Sequence, residues 1–384
     1  MATNRDPKHK RQIALVLAGG GARAAYQAGV LCYVHELAPE VHYPIITGVS
    51  AGAINAAYLA GNLSVDGASG LVACWQDIDR QDVFESESSI RVFRRVLGGI
   101  PRPDSIVQVK DGEALLNTGP LREYLADHLP ANSDSTLPRV TENLQSGRLT
   151  ALCMTTTSFS TGQSVTWVQG RDIEAWERPN RIAIHANLTL DHVMASAALP
   201  LLFPAVKLRD AWYGDGGIRL TAPLSPALHL GATDIVVIST RYDRSQAEAS
   251  HHVVRSYPPA AQVMGILLNA IFLDVLDQDV RTLQTINRLV SRLPEAERGG
   301  LRPVNCLLLR PSMDIGRLAS GYERKTRGVI RLLTRGLGSG LTESPDWLSV
   351  LLFDSNYIAS VIELGWNDAR QQSDRICAFL EQAV

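Results

Sequence analysis

The chain has 384 residues, 45% of them hydrophobic and 20% charged, enough for one large globular domain or two of ordinary size. Its 37 basic and 39 acidic side chains leave a net charge of −2, so no excess of positive charge points to nucleic acid. The five cysteines (Cys32, Cys74, Cys153, Cys306, Cys377) are odd in number and without metal-ligand spacing, which suits free thiols in a reducing compartment.

The N-terminal "MATNRDPKHKRQ" is polar and basic, and the apolar segment behind it is too short for a Sec signal peptide. The longest mainly apolar run, "VMGILLNAIFL" at 263–273, falls short of the roughly 20 residues that span a bilayer. These features predict a cytoplasmic protein whose membrane contact, where it has any, is peripheral at the inner surface. Residues 1–11 read as a polar tail.

"QIALVLA" at 12–18 is a short continuous apolar run, as expected of a strand buried on both faces. A small-residue helix, "ARAAYQAGVLCYVHELA", follows. The run "YPIITGVS" then reads as a second strand and "AGAINAAYLAGN" as a second helix. Such a βαβ unit is parallel and right-handed, so both strands end on one sheet edge and loops 18–22 and 48–51 face each other. Residues 75–120 read as helices around Pro/Gly breaks. "LTALCMTTTSFSTGQSVTW" at 149–167 predicts a hairpin, and "LDHVMASAAL" at 190–199 a helix with Asp191 as N-cap. "AWYGDGGIRL" is a strand and turn, and "ATDIVVIST" at 232–240 a buried strand with which the core sheet is expected to finish.

Beyond 241 the character changes. A polar linker precedes helical patterns over 261–295, a late buried strand "VNCLLLRPS" at 304–312, a basic helix "YERKTRGVIRLLTR" and a long terminal amphipathic helix from 355. "VMGILLNAIFLDVL" fits a core helix better than a lid. The basic helix carries Arg324, Arg331 and Arg335 opposite Val329, Ile330 and Leu333, a pattern shared by solvated faces and anionic membrane surfaces.

Three places carry chemistry. "LAGGGARAA" fits G-x-G-x-x-A through Gly19, Gly21 and Ala24, formally a dinucleotide fingerprint. The fingerprint needs an acidic residue near the end of the second strand, where this chain has "TGVSAG". That pentapeptide, "GVSAG", is G-x-S-x-G between a strand and a helix, the context of a nucleophile elbow. Gly48 and Gly52 permit the turn, Ser50 stands on the corner, and the amide of Ala51 opens the next helix. An elbow needs an oxyanion hole, and Gly19, Gly20 and Gly21 offer bare amides across from it. Arg23 could brace that loop, draw an anionic head group or make a surface salt bridge. "GDGG" holds Asp215 between Gly214 and the pair Gly216, Gly217, so its carboxylate can approach another backbone closely. His185, His192 and His229 sit in no motif. No acidic cluster suits calcium, and no metal or cofactor is called for.

With these blocks in order, the sequence resembles the bacterial patatin-like phospholipases over about residues 12–241. "GGGARAAYQAGVL" is similar to the family's glycine-rich oxyanion block and "GVSAGAINAA" to its nucleophile elbow. "LLNTGPLREYL" matches a mid-domain segment, and the stretch from "ASAALPLLFP" through "GDGG" its aspartate block. The resemblance implies a patatin-like three-layer α/β/α core at 12–241 with a mainly parallel central sheet, and a C-terminal, largely helical region at 242–384. It implies a Ser50–Asp215 dyad, an oxyanion loop at Gly19–Gly21, and a phospholipid, lysophospholipid or other lipid ester as substrate. One residue departs from the pattern: Ala24 stands where the family usually has glycine, and an alanine there would be strained if φ is positive. The alternative class is a lipid-binding or regulatory module of low turnover that keeps the fold.

Overall fold

A computed structural model describes residues 11–86, 114, 116–171, 173, 175–249, 263, 266, 267, 274–322 and 346–381. Its centre is a mixed, mostly parallel sheet with helices around it. The strands used below are β1 (Ile13–Leu17), β2 (Ile45–Val49), β3 (Glu85–Ser86), β4 (Leu116–Asn117), β5 (Ala151–Ser158), β6 (Ser164–Gly170), β7 (Glu177–Arg178), β8 (Arg181–His185), β9 (Val206–Leu208), β10 (Ala211–Asp215), β11 (Asp234–Ile238) and β12 (Asn305–Leu309). The order across the main sheet is β12-β11-β1-β2-β5-β6-β8-β7, parallel from β12 to β5, while β3 and β4 pair apart from it.

The central strands are apolar because helices cover both faces. β1 and β2 are buried almost throughout, as the unbroken runs IALVL and IITGV require. Helix α1 (Ala25–Leu37) returns the chain from β1, α2 (Ala51–Gly61) leaves β2, and α3 (Gly67–Asp77) packs against both. Two glycines let α1 cross a late helix backbone to backbone. A Cβ on Gly29 would fall 2.0 Å from the Ile362 carbonyl oxygen, and one on Gly365 2.2 Å from that of Tyr26.

β5 explains how distant segments meet. Its residues Ala151–Thr155 pair with β2 in parallel, and Thr156–Ser158 pair with β10 antiparallel. β6 occupies the other side of β5, so β2 and β10 lie end to end in one slot. Val49 stands opposite Thr155 and Asp215 opposite Thr156. The C-terminal ends of the two strands therefore meet head to head.

The sheet does not finish at residue 240, as its sequence reading expected. β12 pairs in parallel with β11 and completes that edge, because its run NCLLL can bury only against another strand and the helix behind it. Four further helices are α4 (Gly119–His128), α5 (Leu190–Ser196), α6 (Asp346–Leu351) and α7 (Ser355–Gln371). The N-cap of α5 is Thr189, not Asp191. Thr189 forms a capping box with His192, and Asp191 instead pairs with Arg122. The terminal helix is two: α7 stops at Gln371, and a second begins at Ser373. The basic helix at 323–335, all of 87–113 and most of the "VMGILLNAIFL" run lie outside the described residues. No described helix is long and apolar enough to cross a membrane.

Candidate active site

Ser50 caps the corner between β2 and α2 with φ 58 and ψ −134, a backbone conformation that non-glycine residues adopt only when the surroundings impose it. The flanking glycines make room for the corner: a Cβ on Gly48 would lie 2.3 Å from the Gly52 carbonyl oxygen, and one on Gly52 2.4 Å from that of Ala18. Ser50 is buried, but it lines a cavity. The walls are apolar, with Trp75, Leu121, Leu125, Leu199 and Phe203 among them.

Asp215 is fully buried at the end of β10. One carboxylate oxygen accepts the Gly217 amide at 2.9 Å, and the other has no hydrogen bond of ordinary geometry. Burial without a cation pushes this carboxyl from 3.8 up to about 7. The Ser50 hydroxyl and the Gly217 amide pull it partly back. The head-to-head strands bring the Ser50 side chain beside this carboxyl. Gly216 lies flat over the Thr155 carbonyl, where a Cβ would come within 2.2 Å.

The glycine loop borders the serine. Gly19 packs on Ser50, its absent Cβ only 2.9 Å from that of Ser50. Gly20 has φ 144 and Gly21 φ 56, so both need glycine for conformation as well as space. Among the described residues none accepts a hydrogen bond from the amide of Gly20 or Gly21. The Ala51 amide, in the first turn of α2, likewise lacks an intrahelical partner.

Ala24 carries no strain. It sits at φ −67 and ψ −11, an ordinary right-handed conformation, so the departure from the family's glycine does not distort the loop. Arg23 is not a surface residue. It is buried, and its Nε donates to Ser349 Oγ at 2.6 Å, tying the loop to α6. The histidines are engaged elsewhere. The His192 ring packs on Trp167 and burial drives its pKa to about 4; His185 bonds the Ile173 carbonyl; His229 stacks on Trp176. His128 does line the cavity, held by the Tyr124 carbonyl and stacked on that ring. No described group of His, Cys, Asp and Glu could hold a metal.

Several supporting residues were not singled out in the sequence, although Gln27 and Asn55 lie inside the quoted blocks. Gln27 donates to the carbonyl of Ala18, before the glycine loop, at 2.7 Å. Asn55 donates to the carbonyl of Ala24, after it, at 3.1 Å, and to Gln27 at 2.9 Å. Trp75 donates to Asn55 at 2.9 Å. Both ends of the loop are thus pinned by buried amides. Thr240 adds a third tie, donating to the Gly19 carbonyl at 2.6 Å. Val350, Leu351 and Phe353 close the cavity from the C-terminal region. The available signal was a polar side chain in an apolar run, which must find a partner when buried.

The sheet, its helices and the family model together define the class, a lipid acyl hydrolase. The sequence itself gives the family: the model of the patatin-like phospholipases matches residues 15–228, more than half of the chain, and the chain belongs to that family. No curated protein matches it. Among solved structures, VipD from Legionella pneumophila is 14% identical at a TM-score of 0.38, over 98% of this chain and 76% of that one. Human GIVD cytosolic phospholipase A2 is 12% identical at a TM-score of 0.46, and the chain covers 60% of its length with 97% of its own. Both are distant likenesses.

Proposed function

We propose that the protein hydrolyses lipid carboxylic esters of the phospholipase A or lysophospholipase type through a Ser50–Asp215 dyad. The observation that carries this reading is the buried Asp215 carboxylate, held near neutrality beside a serine that opens onto an apolar cavity. A carboxyl of ordinary acidity would be a poor base at neutral pH; one with a pKa of about 7 is matched to that task.

Ser50 Oγ attacks the ester carbonyl carbon while its proton passes to Asp215. The negative oxygen of the tetrahedral intermediate is received by the amides of Gly20, Gly21 and Ala51, with Gly19 shaping the loop. The intermediate collapses, the C–O bond to the alcohol breaks, and Asp215 returns the proton to the leaving oxygen. Water then attacks the acyl-serine, giving its proton to Asp215. The second collapse frees the fatty acid and restores the Ser50 hydroxyl. The apolar cavity takes the acyl chain. Reaching a lipid ester calls for peripheral contact with a membrane or a micelle.

The test is Ser50→Ala. The expected outcome is complete loss of p-nitrophenyl ester hydrolysis and of fluorophosphonate labelling, with an unchanged circular dichroism spectrum. Hydrolysis at the parent rate in that variant would sink the mechanism.

A further inference from the structure

One short segment, at the start of the aspartate block and away from both "GVSAG" and "GDGG", holds each member of the Ser50–Asp215 pair. It is the C-terminal end of α5 and the two residues after it. Ser196 is fully buried. Its hydroxyl accepts the Ser50 amide at 3.0 Å and donates to the Thr155 carbonyl at 2.7 Å. Two residues on, the Ala198 carbonyl accepts the Asp215 amide at 2.9 Å. Thr155 completes the frame. It stands opposite Val49 in the β2–β5 ladder, and its carbonyl lies under Gly216.

Building on the hydrolase reading above, we propose that Ser196 is a positioning residue that fixes the approach of the Ser50 hydroxyl to the Asp215 carboxylate. β5 registers the ends of β2 and β10 next to each other, but Ser50 lies one residue beyond the β2 ladder, so the sheet alone does not set its backbone. The segment 196–198 spans that junction. Its serine hydroxyl grips the nucleophile's amide, and its next-but-one carbonyl grips the amide of the base. A hydroxyl is suited to the first grip because it accepts from the Ser50 amide and donates to Thr155 at once. Alanine can do neither. The grip also removes the Ser50 amide from the oxyanion donors, which leaves that role to Gly20, Gly21 and Ala51. Without it, Ser50 is free to relax from φ 58, and its hydroxyl leaves the carboxylate.

The experiment compares the parent, Ser196→Ala and Ser196→Cys on p-nitrophenyl butyrate from pH 5 to 9. Rates are taken per folded molecule, counted from the near-ultraviolet circular dichroism amplitude. For Ser196→Ala the expected plateau kcat falls by about 10²-fold while KM stays within about twofold, the cost of a misplaced nucleophile rather than of weaker binding. The acid limb of the profile moves to higher pH, because the Ser50 interaction that lowers the Asp215 pKa is loosened. Ser196→Cys, which keeps a weak donor and acceptor, falls between the two and serves alone if the alanine variant does not fold. Parent-like kcat with an unmoved limb would overturn the positioning role. So would a loss that vanishes on counting folded molecules. Neither result touches the hydrolase reading, which fails only if activity survives Ser50→Ala.

Discussion

Replacing Asp215 by asparagine separates stability from activity in a way that only a carboxyl held neutral by burial allows. In the folded protein this group titrates at about 7, against 3.8 for the ordinary side chain. The folded state therefore binds the proton more tightly than the unfolded chain does, and stability is lost as pH rises from about 4 through about 7. The full difference is worth about 4 kcal/mol, of which about 2–3 kcal/mol falls between pH 5 and pH 8. Asparagine cannot ionise, can still accept the Gly217 amide, and escapes that loss. Urea midpoints of parent and Asp215→Asn at pH 5 and pH 8 give the measurement. The variant should gain on the parent by about 2–3 kcal/mol over that interval while remaining inactive throughout. In the parent, kcat/KM should fall with unit slope below about pH 7, reaching about one hundredth of its plateau at pH 5. Stability curves that move in parallel for the two proteins, or a flat kcat/KM from pH 5 to 8, would refute the account of this carboxyl.

Two other substitutions bear on the loop and the cavity. Ala24→Gly should leave kcat within about twofold and lower stability by about 1 kcal/mol, since the position already has a conformation that suits alanine; a large rise in kcat would show that the loop wants glycine after all. Leu125→Trp places an indole inside the cavity that Leu125 lines. It should cut hydrolysis of p-nitrophenyl palmitate by about tenfold and leave the butyrate ester within about twofold, whereas an equal fall on both esters would mean the acyl chain lies elsewhere.

The parts of the site that were legible in the sequence are those whose chemistry is local. "GGGARAA", "GVSAG" and "GDGG" each state what one backbone turn needs, and the βαβ order places the first two on one sheet edge. The rest depends on partners far along the chain. Ser196 reaches Ser50 across 146 residues, and Arg23 reaches Ser349 across 326. In "VMASAAL" and "DWLSVLLF" these serines look like small residues tolerated in apolar runs. Their meaning appears only when a buried hydroxyl is asked for its partner. Of the readings open for Arg23, the brace is the one the structure bears out, and a planar guanidinium with several donors can be buried once its partners are supplied. The late strand was visible as an apolar run, but its place beside β11 was not, since parallel partners leave no turn signal between them.

The same distribution of contacts explains why the C-terminal region is joined so closely to the site. The positive φ at Ser50 costs about 1–3 kcal/mol, and the buried Asp215 costs about 4 kcal/mol more at pH 8. Against a total stability of about 5–15 kcal/mol, these are large sums to concentrate in two adjoining residues. They persist only where neighbours leave no cheaper arrangement. Gln27 and Asn55 hold the two ends of the glycine loop, Ser196 and Ala198 hold the backbone amides of Ser50 and Asp215, and Arg23 and Val350 press the loop against α6. α6 lies beyond the matched stretch 15–228, as do β11 and β12. The strain sits in the motifs, and a good part of what restrains it lies in segments where no motif can be read.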